Sequence, residues 1–208
     1  MSHPKIDLQV PRLEAVVGCM FSGKTEELLA RLDLYKHAKA NLILLRPDRD
    51  TRKNETHAGR EFKGIPIPAE ICINDFIKLV GQETFEQLQV VGIDEGNFFE
   101  EETFVEFCEN LVEQGKIVIV AGLDMTFAQD GYGPMPRLMV LADILDKNQA
   151  VCDICQSPYA TRSQRFIDGK PAAKDSPQNV VGDADDTQTE VGVVSYKAVC
   201  RKCYVKVG

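Results

Sequence analysis

Apolar residues along this chain fall into two alternating kinds of segment. Short, nearly unbroken runs occur at Leu13–Val17, Asn41–Leu45, Gln89–Asp94 and Lys116–Ala121. Runs of that length predict buried strands. Between them, apolar residues recur at helical spacing. Leu28, Leu32 and Tyr35 predict an amphipathic helix over Thr25–His37, and Phe104, Cys108 and Leu111 predict another over Glu101–Glu113, stopped by Gly115. Shorter helical signals sit at Phe76, Leu79 and Val80, with Asn74 as candidate N-cap, and at Leu138, Leu141 and Leu145. The stretch from Arg46 to Gly64 is charged and aperiodic, and is expected to be a mobile loop, either a functional lid or a plain solvated loop. Continuous apolar strands alternating with helices predict an α/β fold: a mostly parallel sheet with helices on both faces. From about Gln149 the chain turns polar and cysteine-bearing, with little helix signal. The expected division is an α/β domain over residues 1–148 and a small domain over 149–208.

The first strand runs into Gly18-Cys19-Met20-Phe21-Ser22-Gly23-Lys24-Thr25. Two glycines four residues apart, then Lys and a hydroxyl residue, make the phosphate-binding P-loop pattern. Gly18 and Gly23 allow the backbone to wrap a phosphate with its N–H groups. The helix start adds unpaired N–H groups and a positive dipole end. Lys24 can reach the β- and γ-phosphates, and the Thr25 hydroxyl can ligate Mg²⁺. The bland alternative is a glycine-rich turn with a surface lysine. Ligands in such sheets bind at the carboxyl ends of the strands, where the P-loop, Asp94 and Asp124 all fall. An acid at the tip of an apolar strand partners a P-loop, so Asp94 is expected to serve Mg²⁺. Glu95 comes next, to activate water in a hydrolase or to take a proton from an acceptor hydroxyl in a kinase.

Charge and composition narrow the function classes. The 208 residues carry a net charge of −8, which argues against a protein that coats nucleic acid by neutralising phosphates. No apolar run is long enough to span a membrane, and Met-Ser-His-Pro-Lys-Ile-Asp lacks a signal-peptide core, so a cytoplasmic location is expected. Seven cysteines in that setting point to thiols or metal ligands rather than disulfides. Cys152-x-x-Cys155 and Cys200-x-x-Cys203 form two knuckles, the ligand set of a structural Zn²⁺; a redox pair or chance spacing are the alternatives. Cys72 and Cys108 are expected to pack as small apolar groups.

With these motifs in this order, the chain resembles the type II thymidine kinase family, the human-cytosolic and bacterial type. The likeness runs from about Leu13 to Tyr204. It is carried by the P-loop, Asp50-Thr-Arg52, Ile93-Asp-Glu-Gly-Asn-Phe-Phe99, Gly122-Leu-Asp-Met-Thr-Phe127, Leu141-Ala-Asp143, Arg162-Ser-Gln-Arg165 and the knuckles with Tyr196. The resemblance implies transfer of the γ-phosphoryl of ATP to the 5′-hydroxyl of thymidine, and of deoxyuridine, with Glu95 as general base. It implies that Gly18 through Thr25 and Asp94 bind Mg·ATP. Met20, Phe98, Leu123, Phe127, Tyr132, Ser163 and Tyr196 match nucleoside-pocket positions. A "lasso" between the knuckles would read the base by main chain around Val180, Val181 and Gly182. Arg52 and Arg165 are candidates for phosphate or Glu95 contacts. The family further implies a RecA-like fold, a zinc-binding lasso domain and a homotetramer. Without the resemblance, Met20, Leu123 and Phe127 read as plain core. The chain departs from the family at Asn97, where Gln is usual, and in the acidic insert 182–190.

Two other functions fit parts of the pattern. One is a RecA-like ATPase with a zinc ribbon acting on nucleic acid, disfavoured by the acidic charge and by the lack of a basic, aromatic-laced stretch. The other is a regulatory module that only binds nucleotide, which would have no use for Glu95.

Overall fold

In a computed structural model of the chain, residues 8–49, 55–57, 60–177 and 187–206 are described. By their contacts the residues group into two units. The first comprises Met1–Val17, Lys24–Gly122 and Gly133–Asp146. The second comprises Gly18–Gly23, Leu123–Tyr132 and Lys147–Gly208.

In the first unit the elements are β1 (Arg12–Gly18), α1 (Lys24–His37), β2 (Leu42–Pro47), β3 (Glu55–His57), β4 (Arg60–Phe62), β5 (Gly64–Ile67), α2 (Ile73–Val80), α3 (Gln82–Gln87), β6 (Val90–Ile93), α4 (Glu101–Glu113), β7 (Ile117–Gly122), α5 (Met135–Leu141) and β8 (Ile144–Asn148). A six-stranded sheet has the order β5-β2-β6-β7-β1-β8, with parallel pairing from β5 through β1. Both faces are covered, which is why its strands read as continuous apolar runs. Along β7, Val118 and Val120 enter one core with Phe76, Phe104, Phe107 and Leu111. Ile117, Ile119 and Ala121 enter the other, under Leu28, Leu29, Leu32 and Tyr35 of α1. Leu28 and Leu32 are fully buried, at about 1.5–3 kcal/mol apiece. Helix and strand close in at Gly92, where a Cβ would lie 2.7 Å from Leu32 Cδ1.

Several expectations for this unit are corrected. The supposed mobile loop contains the antiparallel pair β3–β4 and the start of the edge strand β5. Pro66 obscured β5 in the sequence, since proline is tolerated in a strand chiefly at a sheet edge. Asn74 lies inside α2, whose N-cap is Cys72 with no side-chain cap bond. Leu79 is exposed, so the apolar side of α2 is carried by the buried Phe76, with Val80 packed partly buried against the same core. The last helix stops at Leu141, and Leu145 belongs to β8. Helix α4 runs as expected, and Glu100 caps it by accepting the Thr103 N–H at 2.9 Å. That bond lowers the pKa of the Glu100 carboxyl.

The second unit is built on β9 (Ala160–Ile167), β10 (Lys170–Pro171), β11 (Thr187–Thr189) and β12 (Gly192–Cys200), ordered β10-β9-β12-β11 and antiparallel throughout. Asp168 and Gly169, both at positive φ, turn β9 into β10, as a two-residue Asp-Gly hairpin requires. Its small core holds Cys19, Ala150, Cys152, Ala160, Ala198, Val199 and Cys200. Among the described residues no helix is long and apolar enough to cross a membrane.

Candidate functional site

In the first unit, Lys24 and Thr25 open α1 immediately after the glycine-rich loop. Asp94 follows the last residue of β6 and is 3% exposed. Its N–H donates to Leu45 O at 3.0 Å, which continues the β2–β6 ladder by one step. The Thr25 hydroxyl lies 3.2 and 3.1 Å from the two Asp94 carboxylate oxygens and donates to that group. Glu95 is half-buried and adopts a left-handed backbone, φ 52° and ψ 40°, leading into the 3₁₀ turn Gly96–Phe98. Its carbonyl accepts the Phe98 N–H at 3.0 Å. A non-glycine residue pays for that conformation, and such strain concentrates at functional positions. Gly96 is sterically required, since a Cβ there would come within 2.5 Å of Val120 Cγ1. Phe98 is half-buried under the Arg49 guanidinium, 4.7 Å from the ring centroid, and Arg49 Nη2 also donates to Phe98 O at 3.3 Å. Charge runs in the sequence gave no sign of this pairing, because a cation and a ring 49 residues apart share no local pattern.

The second unit holds the loop itself. Gly18 cannot carry a side chain: a Cβ would fall 2.6 Å from Asn148 O and 2.7 Å from Ser22 Oγ. Gly23 is at φ 74°. The Ser22 hydroxyl donates to Cys19 O at 2.8 Å, Cys19 Sγ donates to Ala160 O at 3.4 Å, and the Met20 N–H donates to Ser163 Oγ at 2.9 Å. Cys19 is buried, Met20 half-buried and Phe21 exposed. Leu123, Tyr132 and Tyr196 are half-buried, and Phe127 is buried. The Tyr132 N–H donates to Asp124 O at 3.2 Å, and the buried Asp124 carboxylate pairs with Lys147 at 2.6 Å. The Tyr204 hydroxyl, which had no assigned role, donates to Phe127 O at 2.7 Å.

Arg165 is fully buried, with its guanidinium 3.6 Å from the centroid of Phe127. Its Nη1 donates to Pro177 O at 2.6 Å, while Nε and Nη2 have no hydrogen-bond partner among the described residues. Tyr196 faces Arg165 across the β12–β9 ladder. Arg162 donates to Gln129 at 3.1 Å, and burial together with nearby Arg201 lowers its pKa. Arg52, Val180, Val181 and Gly182 lie outside the described residues, as does most of the acidic insert.

The cysteines from the two knuckles converge. Cys152, Cys155, Cys200 and Cys203 have their sulfur atoms all within 4.8 Å of one another. Cys155 Sγ and Cys200 Sγ are 3.7 Å apart, far beyond a disulfide bond. Four thiolates around one ion at about 2.3 Å would sit about 3.8 Å apart, so this donor set could hold a metal such as zinc. The Cys200 N–H donates to Cys152 Sγ at 3.3 Å. Burial opposes the Cys152 thiolate, but hydrogen bonds from backbone groups at Cys155, Cys200 and Ile154 outweigh it and bring the thiol down to about 6. Hydrogen bonding to Cys155, then burial, pushes Cys203 up to about 12. Cys108, buried in the apolar core, has its thiol raised by desolvation.

The family model described as "Thymidine kinase" matches residues 11–204. A thymidine kinase of Mesoplasma florum is 40% identical over 200 residues, covering 94% of this chain and 92% of that protein. A thymidine kinase of Roseiflexus castenholzii is 40% identical over 195 residues, covering 93% of this chain and 94% of that protein. Among solved structures, the genome packaging NTPase B204 of Sulfolobus turreted icosahedral virus 2 in complex with sulfate overlaps 65% of this chain and 73% of its own. The two chains are 16% identical there, with a TM-score of 0.43. With a family match along almost its whole length and relatives of that identity and coverage, the chain belongs to the thymidine kinase family.

Proposed function

We propose that this protein transfers the γ-phosphoryl group of ATP to the 5′-hydroxyl of thymidine, and of deoxyuridine, giving the 5′-monophosphate for nucleotide salvage. Family membership supports the substrates. The observation that carries the chemistry is the Thr25 hydroxyl on the Asp94 carboxylate, with Glu95 next in the chain. Their oxygens, 3.1 and 3.2 Å apart, have the spacing of neighbouring ligands of octahedral Mg²⁺, about 3 Å. Thr25 and Asp94 would hold Mg²⁺, which when bound offsets charge on the β- and γ-oxygens.

The loop amides between Gly18 and Thr25, together with Lys24, would hold the triphosphate. Glu95 would accept the 5′-hydroxyl proton as the phosphoryl group leaves ATP. Positioning and charge neutralisation do the rest, since phosphoryl transfer asks little covalent work of the protein. Met20, Phe98, Leu123, Phe127, Tyr132, Ser163 and Tyr196 would bind the nucleoside, with the base read by main chain at 180–182. Arg165, with two nitrogens of a buried guanidinium, Nε and Nη2, that find no hydrogen-bond partner among the described residues, is suited to an anionic or carbonyl oxygen of a ligand. Arg52 is the other candidate for a phosphate or Glu95 contact. The four cysteines would bind a structural Zn²⁺, closed to substrate because protein fills all four positions. On this reading residues 1–148 act as the nucleotide-binding domain and 149–208 as the lasso domain of a cytoplasmic homotetramer that binds no nucleic acid.

The test is incubation with ATP, Mg²⁺ and a panel of nucleosides, with the monophosphates separated by chromatography. Thymidine monophosphate is the expected product. ATP hydrolysis stimulated by DNA, with no nucleoside phosphorylated, would instead identify a nucleic-acid ATPase.

A further inference from the structure

We infer that Ser163 is a positioning residue for the donor-phosphate loop, acting through the main chain of Met20. The inference rests on the reading of Gly18–Thr25 as the triphosphate loop. The Met20 N–H donates to Ser163 Oγ at 2.9 Å, and Ser163 is 6% exposed. One residue earlier, Cys19 is buried and its thiol donates to Ala160 O at 3.4 Å. The Ser22 hydroxyl closes the loop on itself at Cys19 O. The first half of the loop is therefore tied at two successive residues to one strand, β9. That strand is internal to its sheet: it pairs with β10 on one side and with β12 on the other, where Ser163 lies opposite Ala198.

Two consequences follow. First, the Met20 amide is committed to Ser163, so phosphate falls to the later amides of the loop. Second, the ordering entropy of a loop that must present its N–H groups to a polyanion is met in part before ATP arrives. A hydroxyl suffices at position 163, because only an acceptor oxygen is required. A methyl in its place removes the acceptor from the part-buried Met20 N–H, which loses the bond and leaves the donor to whatever solvent reaches it.

The test compares two variants of the same shape, Ser163→Thr and Ser163→Val, in the full-length chain. Binding of a fluorescent ATP analogue with Mg²⁺ is titrated without nucleoside, and amide hydrogen exchange is followed at Met20. The Val variant is expected to bind the analogue at least about fivefold more weakly than the Thr variant. Its Met20 amide should exchange faster, and its loss of activity should fall on KM for ATP rather than on kcat. Equal affinity and equal Met20 protection in the two variants would overturn the inference. A Val variant too unstable to titrate leaves the exchange comparison between wild type and Ser163→Thr: a Met20 amide that exchanges at the rate of an unprotected loop amide in both overturns the inference, and slow exchange in both supports it. Failure of the wild type to phosphorylate thymidine would sink the kinase reading while leaving these binding and exchange results to stand or fall alone.

Discussion

At Glu95 the structure allows the carboxylate's chemistry to be separated from the backbone's strain. The residue sits at φ 52° and ψ 40°, where an L side chain costs roughly 1–2 kcal/mol relative to glycine. Three substitutions divide the effects. Glu95→Gln keeps shape and strain and removes only the proton acceptor, so kcat should fall at least about 100-fold with nucleoside affinity nearly unchanged. Glu95→Ala removes the carboxylate and keeps the strain. Glu95→Gly removes both, but its freer unfolded chain returns about 0.4–1 kcal/mol of the gain. The net advantage of Gly over Ala is then about 0–1.6 kcal/mol, centred on ~0.8 kcal/mol, or roughly 2–3 °C in Tm for a chain of this size. Turnover is measured by monophosphate production and Tm by thermal unfolding of apoprotein monitored by circular dichroism. All three variants should be nearly inactive, with Gly the more stable of the Ala–Gly pair. A Gln variant turning over close to wild type would remove Glu95 from the base role. A Gly variant less stable than Ala would mean that the left-handed backbone is not the conformation in solution.

Other outcomes are expected from the same structure. Glu14, 1% exposed, accepts from Arg12 Nε and Arg31 Nη1 at 2.8 Å each, so Glu14→Ala should cost about 3 kcal/mol in urea unfolding; a loss below about 1 kcal/mol would contradict this. Atomic emission should find one zinc per chain, and stripping it with a chelator should abolish thymidine binding measured by calorimetry. Thymidine should be phosphorylated at least about tenfold more efficiently than deoxycytidine in competition, because main-chain reading of the base would leave the cytosine amino group facing a donor. Gly96→Ala should lower stability by about 1–3 kcal/mol, read as a shift in the urea midpoint, since its Cβ would overlap Val120.

Much of the α/β unit was legible because its signals are local. A buried parallel strand is a contiguous apolar run, an amphipathic helix is a period, and a P-loop or a pair of knuckles is a spacing. What escaped was locally ambiguous. Strand β5 was hidden by Pro66, and the Asp168-Gly169 hairpin carried a real two-residue signal beside a strand that did not look like one.

That strand, β9, separates what the sequence determines from what only the tertiary structure decides. The sequence by itself determined which groups exist: a phosphate loop, an acid at a strand tip, a carboxylate after it, four cysteines. By composition, Arg162-Ser163-Gln164-Arg165 is a polar loop, yet all four side chains are buried. Burial is tolerated there because distant groups meet part of their polar surface: Gln129 for Arg162, the Val205 N–H for Gln164 Oε1, and Phe127 with Pro177 O for Arg165, although Gln164 Nε2 and Arg165 Nε and Nη2 find no hydrogen-bond partner among the described residues. Ser163 meets the amide of Met20, 143 residues away. Desolvating a polar group is favourable only when a partner is supplied, and a partner that far along the chain is supplied by folding alone.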